Sequence, residues 1–264
     1  MKLENKIAVV TGGGRGIGRA IAIAFAAEGA DVVVMARTAD QLAKTAVEVT
    51  DRGRRALAVV GDLAKKSDIQ ELVRKTLNQF GPPDILVNNV GITTRALVVE
   101  GDDEEWKDVV HTNVIGTYLC TKYFLEAMLP RKTGRIINIA SIAGKVGHPF
   151  NSAYCASKHA ILGFTKTVAL EMAILGTPEI TINAICPGAT NTQVLNGDKG
   201  LFAFLADRFG ITKEEAANRV VGASVQARLL DPKEIAAMAV HLASDEGRGI
   251  TGQAINVDGG QVMG

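Results

Sequence analysis

Ile7-Ala8-Val9-Val10-Thr11-Gly12-Gly13-Gly14-Arg15-Gly16-Ile17-Gly18 is the stretch on which the fold turns. Its first five residues are small, apolar or β-branched, which suits a buried strand. The glycines that follow allow positive φ in a tight turn, let backbone N–H groups approach a pyrophosphate, and let the next helix pack close to the sheet. That helix, expected from about Gly16 to Glu28, brings a partial positive charge to its N-terminus. The spacing is Gly-x-x-x-Gly-x-Gly and not the commoner Gly-x-Gly-x-x-Gly, because Ile17 and Arg19 stand where a third glycine would be needed. Alone, a glycine cluster also fits a flexible turn. Between a β-branched strand and an apolar helix it points to dinucleotide binding, with Gly12, Arg15, Gly16, Ile17 and Gly18 as candidate contacts.

Outward from this turn, strand and helix alternate to the end of the chain. Further strands are expected at Asp31–Met35, Ala56–Val60, Asp84–Val87, Arg135–Ile139, Thr181–Ile185 and Gln253–Val257. Helices are expected at Asp40–Arg52, Asp68–Phe80, Asp103–Leu129, Ser152–Leu175 and Pro232–Ser244, with an irregular stretch after the sixth strand. Short apolar strands separated by helices imply parallel pairing with helices on both faces. No repeat or linker divides the 264 residues, so the expectation is one doubly wound α/β domain, residues 1–264, around a parallel seven-stranded sheet.

Bulk properties exclude several classes. Hydrophobic residues make up 47% and the formal net charge is +1, which speaks against a nucleic-acid-binding surface or an acidic tail. No apolar run reaches the ~18 residues of a membrane span, and the N-terminus lacks a signal-peptide pattern. Cys120, Cys155 and Cys186 are scattered and read as small hydrophobes in a reducing cytoplasm. The four histidines are dispersed, so no metal site is expected.

At the end of the second strand, Met35-Ala36-Arg37-Thr38 lacks the acid that usually bonds the ribose 2′-OH of NAD ~20 residues after the glycine turn. Arg37, with Thr38 beside it, suits a 2′-phosphate instead, and Arg15 has the reach to join it. NADP(H) is therefore expected over NAD(H). Farther on, Tyr154 and Lys158 are four residues apart, about one helical turn, and share a face. A cation near the phenol would lower its pKa from ~10, and Ser141, after the fifth strand, can hold a substrate oxygen beside it. By itself Tyr-x-x-x-Lys also fits an ordinary amphipathic helix.

Taken together, these residues resemble the short-chain dehydrogenase/reductase family in its single-domain form, over essentially the whole chain. The motifs are Thr11 to Gly18, Gly61-Asp62-Leu63, Asn88-Asn89-Val90-Gly91, Asn113, Asn138-Ile139-Ala140-Ser141, Tyr154 with Lys158, Pro187-Gly188 with Thr192, and Val257-Asp258-Gly259-Gly260. Val90 departs from the usual alanine. The resemblance implies a Rossmann fold and a catalytic set of Asn113, Ser141, Tyr154 and Lys158. Lys158 would bond the nicotinamide ribose and depress the Tyr154 pKa; Tyr154 would exchange a proton with substrate; Asn113 would hold a water linking Lys158 to solvent. Asp62 and Leu63 would meet the adenine. Asn89, Gly91, Pro187, Gly188, Thr190 and Thr192 would complete the dinucleotide site. It also implies a homotetramer.

The segment from Thr190 to Ser224 carries Leu195, Leu201, Phe202, Phe204, Leu205 and Phe209, more apolar surface than a connection needs. It reads as a substrate lid, or else as a packed hairpin. Within it, Gly210 to Glu215 is similar to the 3-hydroxybutyrate dehydrogenase branch, but Thr93 replaces the glutamine that helps that branch bind a carboxylate. The 3-oxoacyl-[acyl-carrier-protein] reductases are another similar group. Arg95, Lys145 and His148 are candidates for an anionic or polar substrate tail, or simply surface residues. The expected activity is hydride transfer between NADP(H) and a secondary alcohol or ketone of small-molecule size. The alternatives are an NAD-dependent hydroxy-acid or cyclic-alcohol dehydrogenase and a non-catalytic dinucleotide sensor.

Overall fold

The computed structural model describes residues 1–263. Seven strands form one parallel sheet: β1 Ile7–Thr11, β2 Asp31–Ala36, β3 Ala56–Val60, β4 Ile85–Asn88, β5 Gly134–Ile139, β6 Ile180–Pro187 and β7 Ala254–Val257. Their order is β3-β2-β1-β4-β5-β6-β7. The chain winds outward from β1 to β3, crosses back, and winds the other way from β4. Between β1 and β4 the connections leave in opposite directions, and this is where such sheets open a ligand crevice. Register here is Ala8 with Ile85, Val9 with Leu86 and Val10 with Val87.

Both faces of the sheet are covered. The helices are α1 Gly16–Ala27, α2 Ala39–Thr50, α3 Lys66–Gln79, α4 Asp103–Val110, α5 Gly116–Met128, α6 Ser152–Ile174, α7 Gln193–Asn196, α8 Leu201–Phe209, α9 Lys213–Val221 and α10 Pro232–Ala243. Strand side chains alternate between two cores. Ala8, Val10, Val32, Val34 and Ile85 meet Phe25 of α1, Leu42 of α2 and Ile235 of α10. Val9, Val33 and Leu86 meet Ile69 and Leu72 of α3, Phe124 of α5 and Met172 of α6. Both faces being apolar explains why β1, β2 and β4 read as unbroken apolar runs. Among the described residues, no helix is long and apolar enough to cross a membrane.

Two elements differ from the sequence reading. The helix expected over Asp103–Leu129 is α4 and α5 joined by a π turn, His111–Ile115. Its extra residue per turn rotates Asn113 inward, where the side chain is buried. The stretch taken as irregular after the sixth strand folds into α7, α8 and α9. Gly210 at φ +63° ends α8, and a reciprocal capping box of Thr212 with Glu215 starts α9. Thr-x-x-Glu is visible in the sequence, but the α8–α9 pair is stabilised mostly by packing that periodicity does not display.

Phe124 is fully buried in the core under β4 and β5. Phe124→Ala is expected to lower unfolding free energy by about 3–5 kcal/mol, read as a shifted urea midpoint with an unchanged m-value.

Candidate active site

A cleft of about 1240 Å³ runs across the carboxyl ends of the strands. The glycine turn forms one end of its floor. Gly12 lies at φ +67° and Gly16 at φ +54°, conformations that side chains rarely adopt. A Cβ on Gly12 would come within 2.6 Å of the Asn89 amide, and one on Gly18 within 2.3 Å of the Gly12 carbonyl. Asn89 holds the turn closed: its Nδ2 donates to the carbonyls of Thr11 (3.0 Å) and Gly12 (3.3 Å). The Thr11 hydroxyl donates to the Val87 carbonyl and accepts from the Asn89 N–H. The result is a side-chain-free cradle at a helix N-terminus, which fits a dinucleotide pyrophosphate.

Of the residues the sequence singled out, Gly12, Arg15, Gly16, Ile17, Arg37, Thr38, Asp62, Leu63, Asn89, Gly91, Ser141, Tyr154, Lys158, Pro187, Gly188, Thr190 and Thr192 all line this cleft. Gly18 and Asn113 do not. Gly18 is buried behind the turn, where its missing Cβ lets α1 approach the Gly12 carbonyl. Asn113 lies beneath the floor. Its Oδ1 accepts from the Ile92 N–H (2.9 Å), and its Nδ2 donates to the Ile92 carbonyl (2.9 Å) and the Ser157 hydroxyl (3.0 Å). The Asn113 side chain is therefore a clamp on the loop after β4. Arg15 bonds Gln193 of α7, and Arg37 and Thr38 are exposed at the cleft edge beyond β2. Gln41, which also lines the cleft, was missed in the sequence; its place in the first turn of α2, four residues after Arg37, was the signal available.

The wall that carries the candidate catalytic residues Ser141, Tyr154 and Lys158 is built by α6 and the loop after β5. A Cβ on Gly144 would fall 2.7 Å from the Lys158 carbonyl, so this glycine lets the loop after β5 press against α6. That approach carries Ser141 to Tyr154. The Ser141 Oγ accepts from the Ala143 N–H (3.1 Å), leaving its own hydrogen for the phenol or a substrate oxygen. Lys158 is 4% exposed and donates from Nζ to the Ile139 carbonyl at 2.8 Å. Its Nζ lies 5.6 Å from the centre of the Tyr154 ring. Burial pulls the Lys158 ammonium down from the ordinary 10.5 to about 8.

The Tyr154 phenol is shifted upward, not downward as the sequence reading expected. Burial raises it, while the Ser141 hydroxyl and the more distant Arg95 act in the opposite direction. A phenol so held is protonated at neutral pH, the form that donates to a developing alkoxide. The loop carrying Arg95 is secured by a bridge from Ala96 to Asn151 and by Thr93 Oγ1 donating to Asn151 Oδ1 (3.2 Å). Arg95 and His148 face the cleft, and Lys145 is outside its lining.

Residues 6–199 match the family model described as short chain dehydrogenase. The chain belongs to that family. A 3-oxoacyl-[acyl-carrier-protein] reductase of Synechocystis sp. is 40% identical, covering 99% of this chain and 98% of its own. A reductase of the same description from Staphylococcus epidermidis is 35% identical over 98% and 100%. Among solved structures, a variant of the actinorhodin polyketide ketoreductase crystallised with NADPH superposes with a TM-score of 0.91 at 38% identity, covering 97% of both chains. Family membership accounts for the order of the motifs.

Two substitutions test the wall. Tyr154→Phe is expected to lower kcat on the order of 10²-fold or more with little change in thermal midpoint. Lys158→Met should be inactive yet more stable at pH 7 by about 1–3 kcal/mol, because it removes a buried charge. Since the folded pKa of Lys158 lies below its unfolded value, the cost of burying the ammonium is present below about 8 and is relieved as pH rises toward 10.5. The stability difference in urea melts should therefore shrink between pH 7 and pH 10.

Proposed function

We propose that this oxidoreductase is an NADP(H)-dependent carbonyl reductase acting on a ketone of moderate size, such as a 3-oxoacyl compound. The observation that carries the reading is the placement of Ser141, Tyr154 and Lys158 on one wall of a cleft whose floor is a side-chain-free glycine turn. Arg37 and Thr38, exposed where an NAD site would present an acid, support a 2′-phosphate. Asp62 and Leu63 would hold the adenine. Lys158 would hold the nicotinamide ribose, and Pro187, Gly188, Thr190 and Thr192 the nicotinamide end.

When bound, the nicotinamide supplies or accepts the hydride. The chain's own residues do the rest. Ser141 orients the substrate oxygen with its free hydroxyl hydrogen, and Tyr154 donates the proton that the alkoxide needs. Lys158, held by the Ile139 carbonyl, keeps a positive charge beneath the phenol. Residues 190–224 would act as a lid, with Leu205 and Phe209 of α8 facing the cleft, and its closure over substrate would expel water. The lid is braced against Phe150, whose ring meets Phe204 and Phe209 edge-on at 5.4 and 6.0 Å. The ketoacyl and polyketide reductases among its relatives support this substrate class.

The exposed apolar side chains of Tyr118 on α5 and Leu170 and Ile174 on α6 support a homotetramer built on these helices. Three free, buried thiols fit a reducing cytoplasm.

A spectrophotometric screen of NADPH and NADH oxidation against ketones, oxoacyl thioesters and cyclic diketones tests the reading. At least a tenfold preference for NADH, or no turnover with any carbonyl, would overturn it. Arg37→Asp is expected to raise the KM for NADPH by about 10–100-fold, the loss of a charge-assisted phosphate contact, while moving that for NADH much less.

A further inference from the structure

One cation of the cleft is left without a partner of its own once the dinucleotide is placed. Asp62 is the sole carboxylate among the described lining residues, against Arg15, Arg37, Arg95, Lys158 and Arg219. Arg37 serves the cofactor end, Arg15 adjoins the glycine turn, and Lys158 lies beneath the phenol. Arg219 sits in the field of Glu215. Arg95 has no such assignment.

Arg95 is half-buried, and burial alone lowers its hold on its proton, with no carboxylate near enough to oppose it. It donates from Nη2 to the Val194 carbonyl (2.9 Å) and from Nη1, more weakly, to the Lys199 carbonyl (3.4 Å). Its Nε is buried without an acceptor. One further N–H on each terminal nitrogen is also uncommitted in these bonds. His148, across the cleft mouth, likewise has a buried Nε2 without a partner. A half-buried cation held by carbonyls alone, with an uncommitted N–H on each terminal nitrogen, is a charge that an anionic ligand would satisfy. Arg95 and Tyr154 line the same cleft. The opposite wall is apolar: Phe150, Leu205, Phe209 and Val220.

From these contacts we infer that Arg95 is the substrate-specificity residue of this site and receives the free carboxylate of an oxo acid. The ketone of that acid meets Tyr154, and its remaining body packs on the apolar lid. A planar guanidinium with an uncommitted N–H on each terminal nitrogen suits a carboxylate better than a neutral thioester carbonyl. The inference rests on the carbonyl-reductase reading above and narrows it. Thr93 does not exclude such a substrate, because Arg95 supplies the carboxylate contact two residues later.

The test compares three substrates of one carbon skeleton with NADPH: a medium-chain 3-oxo acid, its N-acetylcysteamine thioester and the corresponding neutral ketone. The expected result is kcat/KM at least tenfold higher for the acid than for the thioester, through a lower KM. In Arg95→Gln the acid's KM should rise at least thirtyfold and its advantage over the thioester should vanish. Arg95→Lys, which keeps the charge but loses the planar fork, should fall between. Calorimetric binding of the saturated acid to the NADP-loaded enzyme should weaken in the same order. A thioester preferred over the acid in the wild type would overturn the inference. Equal losses on all three substrates in Arg95→Gln, with a shifted pH profile, would also overturn it by making Arg95 a tuner of Tyr154. Failure of every carbonyl in the wild type would instead overturn the reductase reading itself.

Discussion

The amide of Asn89 shapes the whole nucleotide end of this protein. It sits where a Cβ on either Gly12 or Gly18 would fall, at 2.6 and 2.4 Å. It also donates to the carbonyls of Thr11 and Gly12. One side chain at the end of β4 thereby fixes the turn at the end of β1, exactly where the two halves of the sheet diverge. Asn89 replaces what water would otherwise do for the turn's carbonyls. The glycines are needed less as loose joints than as the absence of atoms around that amide. Gly18 leaves room for both that amide and the Gly12 carbonyl from behind the turn, outside the cleft lining.

A second buried polar chain stands under the catalytic wall. Asn88 donates to Thr121 (3.0 Å) and to Asn138 (2.8 Å), and Asn138 donates to Thr165 (2.9 Å). These bonds tie β4 to α5, β4 to β5, and β5 to α6; Asn113 immediately precedes α5, Ser141 follows β5, and Tyr154 lies on α6. In a low-dielectric core such bonds are directional where apolar contacts are not. Asn113 continues the pattern by clamping Ile92 to Ser157. The wall can therefore hold a buried ammonium and a protonated phenol side by side at fixed spacing, which hydrophobic packing alone would leave free to slide.

Much of the fold was legible because local and global preferences agree. The β-branched runs at Ile7–Thr11, Asp31–Ala36 and Ile180–Pro187 form strands, and the apolar faces of α1 and α10 meet the same core. The breakdowns occur where function bends a regular element. The π turn at His111–Ile115 leaves no trace in apolar periodicity, because it adds a residue to a turn without changing composition. The α8–α9 pair stood in the sequence only as the alternative of a packed hairpin, because Phe204 and Phe209 of α8 pack on Phe150 from a distant loop and local periodicity does not display that partner.

The sequence alone determined the order of elements, the glycine turn, and the pairing of Tyr154 with Lys158, because each depends on neighbours within a few residues. It also held the choice of Arg37 over an acid. Tertiary structure decided the electrostatics. Burial pulls the Lys158 ammonium down and pushes the Tyr154 phenol up, and burial is set by what the rest of the chain lays over a group. The same holds for Arg15, turned to Gln193, and for Arg95, left in the cleft without a carboxylate. A residue's type is written in the chain. Its desolvation and its partners come from elements far away in sequence, and those set which charges the site can use.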